Sequence, residues 1–85
     1  MITLNITKTL DLREFPPPMP MLKVSHEVSN LMPNEVIKII CTDKKSLMRF
    51  RDWIEQTTTL KILYQEVTRI EDQELYIHYI KCTGL

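Results

Sequence analysis

Glu14-Phe15-Pro16-Pro17-Pro18-Met19-Pro20-Met21 is the stretch on which the reading of this chain turns. Four of the chain's five prolines fall there, between a segment with the period of a strand and one with the period of a helix. Proline fixes φ and has no N–H, so it suits the first turn of a helix and disrupts later ones. The run is therefore a stiff, extended lead-in that opens a helix. A strand-to-helix junction of this kind is a place where folds hold functional groups.

Upstream of the junction, Ile2, Leu4 and Ile6 alternate with Thr3, Asn5 and Thr7. That period of two predicts a half-buried strand over residues 2–10. Downstream, Met21, Val24, Val28, Leu31 and Met32 share one helical face, and Lys23, His26, Glu27 and Asn30 the other. This predicts a helix from Met21 to Met32, closed by Pro33-Asn34, where asparagine tolerates a left-handed exit. Glu35 to Cys41 is β-branched and nearly continuous, the pattern of a central buried strand. Strand, helix and strand within this length form a βαβ unit, so the two strands should run parallel.

Thr42 or Asp43 can cap a second helix. In it Leu47, Phe50, Arg51 and Ile54 share a face, Trp53 flanks them, and Lys44, Lys45, Arg49, Asp52 and Glu55 point outward; Thr57-Thr58-Thr59 stops it. Two strands follow, Leu60–Ile70 and Glu74–Lys81, joined by the charged turn Glu71-Asp72-Gln73. The last strand is apolar on both sides, with Leu75, Ile77 and Tyr79 against Tyr76, Ile80 and Cys82. The order βαβαββ predicts an α+β two-layer sandwich: two helices on one face of a mixed four-stranded sheet.

The 85 residues suffice for one small domain over residues 1–85. Eleven basic and eleven acidic residues give zero formal net charge, which argues against a strongly electrostatic nucleic-acid binder. No apolar run approaches the roughly eighteen residues of a membrane-spanning helix, and the N-terminus lacks the pattern of a signal peptide. Cys41 and Cys82 stand far apart and outside any metal spacing, so the expectation is a cytoplasmic protein with free thiols. His26 and His78 are isolated and read as solvated or packing residues, and neither a metal nor a cofactor is expected.

With these elements in place, the chain resembles the TusA/SirA-like family of small sulfur carriers. Leu10-Asp11-Leu12-Arg13 matches the family's opening, and Phe15 stands at its leucine. Pro18-Met19-Pro20 matches Pro-x-Pro, Leu31-Met32-Pro33-Asn34-Glu35 resembles the helix exit, and Ile40-Cys41-Thr42-Asp43 the end of the second strand. The resemblance implies the βαβαββ sandwich. It also implies a motif cysteine that takes sulfur from a cysteine desulfurase as a persulfide and passes it on, for instance toward tRNA uridine thiolation. A helix N-terminus suits that chemistry, because its unpaired N–H groups favour a thiolate. In this chain Pro17 stands where the family carries the cysteine, and Glu14 where it carries glycine. Proline offers no nucleophile, acid or base. No catalytic residue is therefore expected in the motif loop formed by Arg13, Glu14, Phe15, Pro17, Pro18 and Pro20.

The reading that follows is a non-catalytic binding or regulatory module, with a cysteine desulfurase or sulfur-relay protein as partner. The alternative is a working carrier that uses Cys82 or Cys41. Cys41 reads first as a small core residue and second as a thiol activated by the next helix; Cys82 reads as a strand-end residue or an exposed thiol. Met19, Met21 and Phe15 are either a partner-binding patch or core anchors. Lys44, Lys45, Arg49 and Arg51 are a solvated face, or they meet an acidic partner or RNA.

Overall fold

Side-chain period decides each element, and the computed structural model, which describes residues 5–15 and 19–84, realises the predicted order. The elements are β1 (Lys8–Asp11), α1 (Met19–Val28), β2 (Val36–Cys41), α2 (Ser46–Glu55), β3 (Leu60–Ile70) and β4 (Gln73–Cys82). The sheet order is β1-β2-β4-β3. β1 runs parallel to β2, with Asp11 opposite Ile40, and α1 supplies the crossover that a parallel pair needs. β4 pairs antiparallel with both β2 and β3, which makes the sheet mixed and leaves β1 and β3 at its edges.

Alternation along the strands sends one set of side chains to the helices. Ile37, Ile39 and Cys41 of β2 and Tyr76 and Ile80 of β4 pack with Val24 of α1 and with Phe50 and Ile54 of α2. Both helices thus lie on one face, as the sequence pattern requires. Phe50, Ile37, Ile39, Ile80 and Val24 are fully buried, each burial worth roughly 1.5–3 kcal/mol relative to exposure. The intervening residues of β4, Leu75, Ile77 and Tyr79, form a second buried cluster with Ile40 and Leu63. Strand alternation places that cluster on the sheet's other face.

Several boundaries depart from the sequence reading, most of all those of the first strand and the first helix. The first strand, expected over residues 2–10, is regular only from Lys8 to Asp11, with residues 1–4 outside the described region and Ile6 exposed. Thr7 explains the limit. Its N–H still donates to the Val36 carbonyl at 2.8 Å, but the returning Val36 N–H faces the Thr7 hydroxyl at 3.3 Å in place of a backbone carbonyl. The first helix starts two residues earlier than expected, at Met19, and stops at Val28, not Met32. Ser29 Oγ and Asn30 Nδ2 both donate to the His26 carbonyl, at 2.7 and 3.2 Å, and tight bonds of Asn30 to Glu27 and Leu31 to Val28 finish the turn. Met32 is consequently exposed. Asn34 then takes the left-handed conformation, φ 72°, that lets the chain turn into β2. Ahead of α2 the side chain that accepts a backbone N–H is Asp43, from Lys45 at 2.9 Å, while Lys45 itself occupies the cap position.

Candidate functional site

The parallel pairing of β1 and β2 puts both carboxyl ends, and the start of α1, on one edge of the sheet. The edge of an α/β layer at which parallel strands end is where such folds bind ligands. The chain leaves β1 at Asp11 and is anchored at once. Leu12 donates its N–H to the Ile40 carbonyl at 2.9 Å and buries its side chain. The Phe15 N–H then returns to the Leu12 carbonyl at 3.2 Å, closing a turn through Arg13 and Glu14. Asp11 braces this turn by accepting from the Arg13 backbone N–H at 3.1 Å and from its guanidinium at 2.9 and 2.7 Å. The guanidinium holds the Asp11 carboxyl below the usual carboxylate range, and the carboxylate in turn raises Arg13.

Phe15 lies partly exposed beyond the turn, with the Lys23 ammonium 4.7 Å from its ring centroid. Such a contact at an exposed site is worth about 0.5–1 kcal/mol. Asp11, Arg13, Glu14 and Phe15 line a shallow polar cleft, joined by Gln73 at the start of β4. Pro16, Pro17 and Pro18 lie outside the described residues, as do the side chains of Met19 and Pro20. Met21 is half-buried and packs against the helix-face core. The described part of the loop is thus a braced turn with one exposed aromatic ring.

The thiols lie elsewhere. Cys41 ends β2 and is buried; burial pushes it up to about 11, and a hydrogen bond with Ser46 offsets only part of that. Cys82 is buried at the end of β4, 8 % exposed, with its sulfur 3.8 Å from the Leu31 carbonyl. It borders an apolar cleft with Trp53, Leu60 and Pro33, at the end of the sheet opposite the motif loop. Neither thiol borders the cleft of the motif loop.

Of the cations singled out on the second helix, Lys44 and Lys45 line an apolar groove between α2 and β3, where Arg51 joins them. Arg49 turns to Asp43, 3.3 Å away. Among the described residues no three His, Cys, Asp or Glu side chains gather as a metal site. No described helix is long and apolar enough to cross a membrane.

A buried polar chain behind that groove escaped the sequence reading. Arg51 Nε donates to Gln65 Oε1 at 3.0 Å, which fixes the Gln65 amide. The amide nitrogen then donates to the Leu47 carbonyl and to His78 Nδ1, both at 3.0 Å. His78 Nδ1 must therefore accept, so its proton sits on Nε2 and is donated to Ser46 Oγ at 2.9 Å. The His78 ring is fully buried and packs 4.2 Å from the Phe50 ring, and burial pushes its pKa down to about 4. The clue was parity: His78 shares the inward side of β4 with Tyr76 and Ile80.

The two-layer α+β arrangement, with its parallel strands ending at a strand-to-helix loop, is the one that the resemblance to small sulfur carriers implies. The comparisons with known proteins agree. The model for the family described as "Sulfurtransferase TusA" matches residues 8–81, and the chain belongs to that family. A Halobacterium salinarum protein described as a candidate sulfur carrier is 29 % identical over 79 residues, 93 % of each chain.

Proposed function

We propose that this chain is a TusA-family protein that does not itself carry sulfur and works as a binding module within a cytoplasmic sulfur-relay system. The observation that carries the proposal is the burial of both thiols, Cys41 and Cys82, in a chain with no other cysteine. A sulfur acceptor must present a thiolate to its donor, and a buried thiol is inert. Pro17 at the position that the family gives to cysteine supports the same reading from the sequence. The braced turn and exposed Phe15 next to it keep a surface on which a cysteine desulfurase or a relay protein can dock, without a reactive atom. Incubation with a cysteine desulfurase, its cysteine substrate and a cysteine-bearing family member as control tests this. The control should gain the mass of one sulfur atom, and this chain should gain none. A persulfide on Cys82 or Cys41 overturns the proposal and establishes the carrier alternative.

A further inference from the structure

The groove between α2 and β3 is the largest apolar depression among those described, about 710 Å³. Its exposed floor is Met48, 63 % exposed, and Val67, 55 % exposed. Its rim is cationic. Lys44, Lys45 and Arg51 stand around it, and among the described residues none of the three is in an ion pair. The one acid there, Asp43, is taken up by Arg49 and by the Lys45 backbone N–H. β3 forms the groove's outer wall and is the sheet's edge, so among the described residues one side of its backbone has no ladder partner. The first half of that edge is guarded by a bulge between Ile62 and Tyr64 and by the exposed Lys61. The second half, Gln65–Ile70, pairs regularly with β4 and leaves Val67 and Ile70 exposed.

We propose that this groove takes an extended acidic segment of a partner protein, which adds to β3 as a fifth strand. Backbone hydrogen bonds to the edge supply affinity, as in other strand additions. Every second side chain of the added strand faces the groove. An aliphatic one meets Met48 and Val67, and flanking Asp or Glu residues meet Lys44, Lys45 and Arg51. Gln65, held by Arg51 and His78, keeps the wall rigid. The apolar floor selects a peptide over RNA, since RNA grooves use exposed aromatic rings for stacking and none lines this one. The inference rests on the chain acting as a binding module and names the chemistry of what it binds.

Panning a random displayed-peptide library against the full chain tests it. Selected peptides should be rich in Asp and Glu around an aliphatic residue. A synthetic peptide of the enriched sequence should shift amide resonances of residues 44–51 and 65–70. Lys44→Glu with Lys45→Glu should weaken it roughly tenfold or more, and so should Val67→Arg. All three sites are solvent-exposed, so the folded spectrum of each variant checks that only the surface has changed. Peptides without acidic enrichment, or binding that these variants leave unchanged, overturn the proposal. So does a homodimer abolished by Val67→Arg, which assigns the groove to a second copy, or tight single-stranded RNA binding there. Sulfur loading is read separately: a persulfide refutes the non-carrier reading and leaves the groove's result standing.

Discussion

At the scale of single residues, environment overrides chemical identity. Cys41 stands just before a helix N-terminus, but it faces the core, as its first reading in the sequence has it, and desolvation drives its pKa up to about 11. The helix dipole acts on a group near the terminus and open to it; a thiol packed among Ile37, Ile39 and Phe50 loses more from burial than it gains. Cys82, read as a strand-end residue or an exposed thiol, is a buried strand end: Gly84 and Pro33 lie close beside the strand's exit, and the Asn34 N–H bonds to the Cys82 carbonyl. A maleimide probe added to the folded chain near neutral pH should therefore label both cysteines far more slowly than it labels a free peptide thiol. Both should react promptly in denaturant. Prompt labelling of Cys82 in the folded chain would show that the strand end opens.

At the scale of elements, turn chemistry is where local preference and fold disagree. The β3–β4 hairpin reverses through Glu71 and Asp72, since Ile70 lies opposite Gln73. Glu71 holds φ 56°, a conformation that costs a non-glycine residue roughly 1–2 kcal/mol. Glycine removes that cost and adds roughly 0.5–1 kcal/mol of unfolded-state entropy. Glu71→Gly should therefore raise stability by about 0.5–1 kcal/mol, seen as a thermal midpoint a few degrees higher, and Glu71→Val should lower it. The order of elements was legible because the hydrophobic period changes from two to 3.6 at the proline run and back again at Glu35. Ends were less legible. Met32 fits the apolar face of α1, but Ser29 and Asn30 turn back onto the His26 carbonyl and end the helix first. The braced turn was legible in part: Asp11 and Arg13 are visible as a motif, while their four-contact geometry depends on Leu12 being fixed to β2. The α2–β3 groove was not legible, because it joins Lys44 and Lys45 to Val67 across the chain.

At the scale of the whole molecule, the polar chain through His78 couples stability to pH, because it ties β3, β4 and α2 together through a neutral His78 ring. Protonating Nδ1 would set a cation against the donating amide of Gln65 inside the core. The folded state resists this, so His78 takes up its proton only near pH 4, against 6.5 for the ordinary side chain. Between these values the unfolded chain binds the proton and the folded chain does not. Stability from this group is therefore complete above pH 6.5 and is lost as pH falls toward 4. The loss between about pH 7 and about pH 4.5 is about 2–3 kcal/mol, a large share of what holds a domain of this size. Asp11 and Glu27, held low by Arg13 and Lys8, act in the same direction, their contributions fading as pH falls past the ordinary carboxylate values of 3.8 and 4.5. Urea unfolding across the window should show the midpoint falling steeply with acidification. His78→Phe removes the titrating group and leaves Ser46 and Gln65 one partner short, so the variant should be weaker at neutral pH but much flatter with pH. An equally steep fall in that variant would place the acid sensitivity in the carboxylates and not in the buried ring.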